Sequence, residues 1–256
     1  MRHGPVWLAR HYGTLWYFAR NRFREGEFSR MRRYFAKLLV EDLQRDLDFA
    51  MQGRRVLEVG GHLGEFSAFF EETCGAMCVN LEIQDLREIG GYFPRTIIGD
   101  GTAIPFMDES FDFILCRGVI EHVPHANQHT LIQECRRVLK SGGICLINTQ
   151  PWYSPFAGHQ IRPFHMLPFP VALFLRRLTL PKEARERWRL DKARSLEDLD
   201  LYPLTMRTFE RMIRDCGFRL VATRDYHTRL HWTTKIPILR EVLTQSITYL
   251  FAKHKW

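Results

Sequence analysis

The stretch Arg54-Arg55-Val56-Leu57-Glu58-Val59-Gly60-Gly61-His62-Leu63-Gly64 decides the fold. An apolar strand over 54–60 closes on an acidic residue, passes through a glycine-rich turn and continues into a helical pattern over 63–74. Doubly wound α/β domains build a ligand pocket in this way, where the backbone comes close to its guest at the carboxyl end of a strand. Gly60, Gly61 and Gly64 remove the side chains that would stand in the way.

The next two strand ends carry the reading further. A second strand over 76–82 closes on Glu82, 24 residues after Glu58, where a carboxylate can accept from both hydroxyls of a ribose. A third over 96–100 closes on Asp100, placed to accept from an exocyclic adenine amine, and Ile104 and Phe106 offer the base an apolar surface. A fourth, over 111–116, leads into Arg117-Gly118-Val119-Ile120-Glu121-His122. A nicotinamide dehydrogenase would need G-x-G-x-x-G packed around a pyrophosphate. Gly60-Gly61-His62-Leu63-Gly64-Glu65 misses that spacing, and Glu65 would repel the anion.

Three acidic strand ends in series, with Gly99-Asp100-x-x-Ala103-x-Pro105-Phe106 and Ser110-Phe111-Asp112 leading to Glu121-His122-Val123, resemble the class I S-adenosylmethionine-dependent methyltransferases. The resemblance covers about 54–150, resumes over 205–218 and returns at the last strand. It implies a Rossmann-like, doubly wound, mostly parallel α/β sheet of seven strands, the last an antiparallel edge strand. It also implies S-adenosylmethionine as cofactor. Glu58 and Gly60 would face its methionine portion, with Gly61, His62 and Gly64 completing the loop. Glu82 would hold the ribose, Asp100, Gly101 and Thr102 would meet the adenine, and Arg117 and Gly118 would line the floor. His62 departs from the pattern, since the family usually has glycine there. If the loop needs a positive φ at that position, His can adopt it at a cost glycine does not carry.

With 256 residues and 45% hydrophobic content the chain can bury one α/β core with an appendage. The expected domains are a basic helical cap over 1–50 and a methyltransferase domain over 51–256. No apolar run reaches the roughly 18–20 residues that span a bilayer, and no secretory leader is read at the N-terminus. The six cysteines form no CxxC pair, which fits a reducing, cytoplasmic compartment. The net charge of +8 is uneven, with +7 over 1–40, −8 over 41–159, +6 over 160–195 and +3 beyond. An acidic core between two basic segments points to an anionic partner, a membrane surface before nucleic acid. Oligomeric state cannot be read from the sequence.

Apolar residues at helical spacing over 5–50, with Arg10, Arg20, Arg22 and Arg24 among them, predict helices. The core then alternates, with a short helix near 84–90, a long one over 127–140, a stop at Lys140-Ser141-Gly142-Gly143 and a fifth strand over 142–149. Six prolines from Pro151 to Pro181 interrupt a lid insertion over 151–204, and no long regular element is expected in its first half. A helix over 205–218 leads to a sixth strand over 219–226, and the last strand is expected over 246–254.

Methyl transfer from a sulfonium needs alignment and a dry site, and a hydroxyl acceptor also needs its proton removed. His122 is the candidate base and Glu121 its orienting carboxylate. Trp152 and Tyr153 would wall the substrate, with His159, Arg162 and His165 holding an anionic or hydroxylated group. Some relatives, the ubiquinone-type and small-RNA 2′-O-methyltransferases, hold a divalent ion with E-x-x-E-H and a later His. Here Gly118 stands at the first Glu, and only Glu121 and His122 match, with His159 as a third donor. Losing a carboxylate weakens hard-cation binding, so no metal is expected. The expected reaction is methylation, O-methylation first, of a lipid-linked, quinone-like or sugar-containing small molecule. An RNA methyltransferase and a non-catalytic partner protein are the rival readings.

Overall fold

The structure is a computed structural model that describes residues 4–21, 24–88, 92–225, 229 and 232–253. Arg22, Tyr226, His254 and the end of the segment expected to be helical near 84–90 lie outside the described residues. In chain order the elements are α1 (Pro5–Asn21), α2 (Glu27–Leu47), β1 (Arg55–Val59), α3 (Glu65–Cys74), β2 (Met77–Glu82), β3 (Thr96–Ile98), β4 (Phe111–Arg117), α4 (His125–Val138) and β5 (Leu139–Thr149). There follow α5 (Phe169–Thr179), α6 (Lys182–Arg187), α7 (Met206–Asp215), β6 (Phe218–Arg224), α8 (Pro237–Val242) and β7 (Ile247–Lys253).

Seven strands form one sheet in the order β3-β2-β1-β4-β5-β7-β6. The first five run parallel, and β7 is antiparallel to both β5 and β6. The last strand is therefore antiparallel, as the resemblance implies, but it is not the edge. It slots between β5 and β6, where Tyr249 and Phe251 are buried against Phe209 of α7.

Alternating side chains divide the core into two layers, as the two-residue period of a strand requires. Leu57, Val59, Ile114, Cys116, Cys145 and Ile147 face α4 and α7. Val56, Phe113, Leu115, Leu146 and Leu250 face α2 and α3. Phe35, Leu39 and Leu43 of α2 are buried in that second layer, so the N-terminal helical segment covers one face of the sheet. All six cysteines are free thiols, five of them buried. Among the described residues no helix is long and apolar enough to cross a membrane.

Three local expectations change. Residues 83–88 form bends and a turn rather than a helix. Asp85 accepts from the Arg87 backbone N–H at 3.1 Å, a local bond that competes with helix. Helix α4 stops at Val138, and Lys140-Ser141-Gly142-Gly143 becomes an irregular opening of β5, whose register shifts between Phe111 and Phe113. In the insertion, Pro168 and Pro170 start a helix instead of preventing one. Pro170 sits in the first turn of α5, where its missing N–H costs nothing and its fixed φ is already helical.

Candidate active site at the carboxyl edge of the sheet

The register places the candidate residues side by side. Val59 lies opposite Leu81 on one side and Cys116 on the other, and Glu82 lies opposite Ile98. The loops after β1, β2, β3 and β4 therefore leave the sheet along one edge. The chain reverses direction across the sheet between β1 and β4, the position where such sheets form their crevice.

The glycine loop is built for close packing. Gly60 has φ +66°, and a Cβ there would collide with Val119 after β4. A Cβ on Gly61 would meet Asn80 Oδ1 and would stand 2.5 Å from Glu58 Cδ. Gly64 has φ +76° and opens α3 over Phe93. His62 takes the positive φ that its position calls for, +57°. Its side chain is exposed, and its backbone N–H donates to Glu82 Oε2 at 2.7 Å. The other Glu82 oxygen accepts from Ile83 and Gln84 at 2.9 and 3.2 Å. Three amides thus hold Glu82 in place and leave acceptor capacity on its carboxylate.

Asp100 is exposed and accepts from the Thr102 backbone N–H at 2.8 Å. A Cβ on Gly101 would come within 2.8 Å of Leu131. Glu58 is completely buried and turned inward, where it accepts from the Ser67 N–H and hydroxyl at 2.9 and 2.6 Å. Burial raises its pKa, and the Arg32 charge and the Ser67 bonds oppose that rise.

Two residues that sequence reasoning missed hold the loop. Asn80, fully buried within β2, accepts from Gly61 N–H and donates to the His62 carbonyl and the Thr96 hydroxyl. Its signal was present, a lone amide in an apolar strand. Arg32 of α2 donates to the Gly61 carbonyl at 2.9 Å and contacts Glu58 at 3.3 Å and Glu65 at 2.8 Å. Its only sequence signal was its place in a basic segment. Arg117 packs between the rings of Phe35 and Phe66, each 5.4 Å away. Burial, with the Arg32 charge second, pushes its pKa down to about 10, so it stays charged at neutral pH. Gly118 is exposed with φ +67°.

Beyond Gly118 the lid meets the sheet. The His122 Nδ1–H donates to the Asp200 carbonyl at 2.7 Å. A carbonyl only accepts, so Nδ1 carries the proton and neutral His122 presents a lone pair on Nε2. The His159 ring stands edge-on to His122, centroids 4.7 Å apart. Burial, then the neighbouring His122 and Arg162, drives the His159 pKa down to about 4. His159 is therefore neutral at neutral pH, and its 3.9 Å approach to Glu121 is a polar contact rather than an ion pair. Glu121 is buried and accepts from the Thr149 hydroxyl at 3.2 Å, and desolvation raises its pKa. His159 and Asp200, the two lid residues against His122, both hold left-handed backbone, at φ +39° and +52°.

Trp152 joins Glu121 and His159 in one small cavity with Leu201 and Tyr202. Tyr153 is half-exposed beside Ile238 and Val242 of α8. Arg162 is partly exposed and donates to the Phe156 carbonyl at 3.2 Å. His165 is buried inside the lid, edge-on to Trp152, and does not line that cavity. The ligand atoms of Glu121, His122 and His159 lie within 4.8 Å of one another.

The family model for a methyltransferase domain matches residues 57–147, the segment that carries the glycine loop and Glu121-His122. An uncharacterized methyltransferase of Mycobacteroides abscessus is 32% identical over 225 residues, 82% of this chain and 80% of that relative. The chain belongs to the class I S-adenosylmethionine-dependent methyltransferases. An uncharacterized methyltransferase of Mycobacterium tuberculosis is 30% identical over 76% of this methyltransferase and 75% of its own length. A SAM-dependent methyltransferase from Archaeoglobus fulgidus shares the fold at TM-score 0.55 and 14% identity, over 93% of this chain and 99% of that one. The cofactor is S-adenosylmethionine, and the glycine cradle, the held Glu82 and the exposed Asp100 fit it.

Proposed function

We propose that this methyltransferase O-methylates an apolar small molecule, of lipid-linked, quinone-like or sugar-containing type. The observation that carries the reading is the His122 Nδ1–Asp200 bond. With Nδ1 committed to that carbonyl, Nε2 keeps the lone pair that a hydroxyl acceptor would need as a base, whereas an amine acceptor already has its own lone pair.

S-adenosylmethionine supplies an electrophilic methyl group on a sulfonium. The chain supplies the rest. Glu82 and Asp100 accept from the ribose and adenine ends, and the glycine loop admits the methionine end. His122 Nε2 takes the acceptor's proton. Glu121, held by Thr149, lies beside the resulting imidazolium and lowers its cost. Lid residues 157–159 and 201–204 wall a small cavity with Trp152 and Glu121. Trp152 and Leu201 would offer apolar contact to a hydrocarbon-bearing acceptor, beside the polar Glu121, Gln150 and His159.

The test is a transfer assay with labelled S-adenosylmethionine and a panel of phenols, long-chain alcohols, glycolipids and matched amines. The reading expects labelled product from the hydroxylated apolar members and its loss in His122→Gln with cofactor affinity retained. Labelling of amines alone, or full activity in His122→Gln, would overturn it.

A further inference from the structure

We propose that helix α5 is a membrane-surface anchor that seats the lid on an anionic lipid bilayer. This rests on the apolar acceptor reading and adds the partner that would present such an acceptor.

Helix α5 buries one face and exposes another. Ala172 is buried, and Leu173 enters the lid's own apolar cluster with Ile161, Leu190 and Leu201. On the opposite side Val171, Phe174 and Leu178, at spacings of three and four, are 46%, 61% and 68% exposed. Met166 and Leu167, just before the helix, extend the ridge. Its eleven residues are too short to cross a bilayer and suited to lying in its interface.

The charge of the lid segment selects the partner. Residues 160–195 carry a net charge of +6. The segment after α5 folds back onto the buried side of the helix. Arg177 donates to the Leu190 carbonyl at 2.6 Å, and the Arg176 guanidinium lies 5.5 Å over Trp188. Arg187 at the end of α6, and Arg189, Lys192 and Arg194 beyond it, are all exposed. An exposed apolar ridge on a segment of net positive charge complements an anionic lipid surface, with side chains among the acyl ends and guanidinium groups on phosphates. Against RNA the cations would serve equally, but Val171, Leu178, Met166 and Leu167 would have nothing to contact. Both basic segments use part of their charge internally: in 160–195 Arg177 and Arg185 approach Asp191 and Lys182 approaches Glu186. In 1–40 Arg30 pairs with Glu27, Arg32 with Glu58 and Glu65, and Arg33 with Glu72.

The anchor is joined to the site. Helix α5 packs against the turn of His159–Ile161, and His159 stands against His122. A bilayer that holds α5 therefore holds the lid wall of the acceptor cavity.

Full-length protein is sedimented with phosphatidylcholine vesicles, with and without one third phosphatidylglycerol, and assayed separately for a single-stranded RNA. Binding to the anionic vesicles is expected. Phe174→Asp/Leu178→Asp should weaken it by more than about tenfold, as loss of buried apolar ridge does. Phe174→Ser/Leu178→Ser is the milder second variant should the first unfold, and it should weaken binding in the same direction. Titration with S-adenosylmethionine should be unchanged in both. Equal vesicle binding by wild type and ridge variants, no vesicle binding by wild type, or preferential RNA binding that the ridge variants retain would each overturn the anchor. Failure of wild type to bind S-adenosylmethionine would instead strike the methyltransferase reading.

Discussion

The backbone N–H of His62 donates to Glu82 Oε2 at 2.7 Å, so the residue that departs from the usual glycine holds the carboxylate that would take the ribose. The bond requires the left-handed φ of +57°, not the imidazole, which is exposed. His62→Gly should therefore keep cofactor affinity within about twofold while relieving a strain of order 1 kcal/mol. His62→Pro removes both the N–H and the positive φ, and should cost about tenfold in affinity or more, roughly one lost hydrogen bond to a charged group. Calorimetric titration of the two variants checks this. Equal affinity in His62→Pro would show that the bond does not matter.

Among the described residues, Arg32 is the link from α2 to the Glu58 and Glu65 carboxylates. Arg32→Met leaves two buried carboxylates without their cation, a change that costs about 3–5 kcal/mol in comparable buried pairs. Denaturant unfolding should show that loss. Arg32→Lys should restore only part, because a point charge cannot serve Gly61 O, Glu58 and Glu65 together. A stability unchanged in Arg32→Met would remove α2 from the account of the site.

Gly61→Ala tests the packing of the loop. Its Cβ would stand 2.5 Å from Glu58 Cδ, with Asn80 closer still, and both neighbours are buried and hydrogen-bonded. Overpacking of this kind costs about 1–3 kcal/mol. The melting temperature and cofactor affinity should fall together. A melting temperature equal to wild type would mean that the loop has room the geometry does not show.

His159 gives the fold an acid sensitivity. Its folded pKa, about 4, lies below the ordinary 6.5, so unfolding takes up a proton wherever the pH is between the two. Its contribution to stability is complete above 6.5 and is lost as pH falls toward 4. His159→Gln removes that proton uptake. The wild-type melting temperature should therefore fall more steeply from pH 7 to pH 5 than that of His159→Gln. Parallel slopes would contradict the burial of a neutral imidazole.

The clustering of Glu121, His122 and His159 makes chelation informative. With His122 as base, labelled product should form at the same rate after EDTA treatment and gel filtration. Loss of activity restored by an added divalent ion would assign the three side chains to that ion.

Much of this was legible in the chain because each strand end closes on a residue whose chemistry differs from the apolar run before it. Glu58 within β1, Glu82 at the end of β2 and Asp100 two residues past β3 break the apolar runs, and the sheet order sets them along one edge. What escaped depends on distance or on proline context. Arg32 meets Glu58 across 26 residues, a contact no spacing encodes. Asp200 meets His122 across 78. Prolines 168 and 170 looked like breakers, yet at a helix start they are compatible with α5. The place of β7 inside the sheet is set by Tyr249 and Phe251 packing against Phe209, a tertiary preference that strand periodicity does not carry.

The central claim is a cofactor site along the carboxyl edge of β1, β2 and β3. Isothermal titration of the full chain with S-adenosylmethionine, beside Glu82→Ala, tests it most directly. The account predicts one saturable site in the wild type and about a tenfold or greater loss in Glu82→Ala, the worth of a charge-assisted hydrogen bond. No binding by the wild type, or the same affinity in Glu82→Ala, would contradict it.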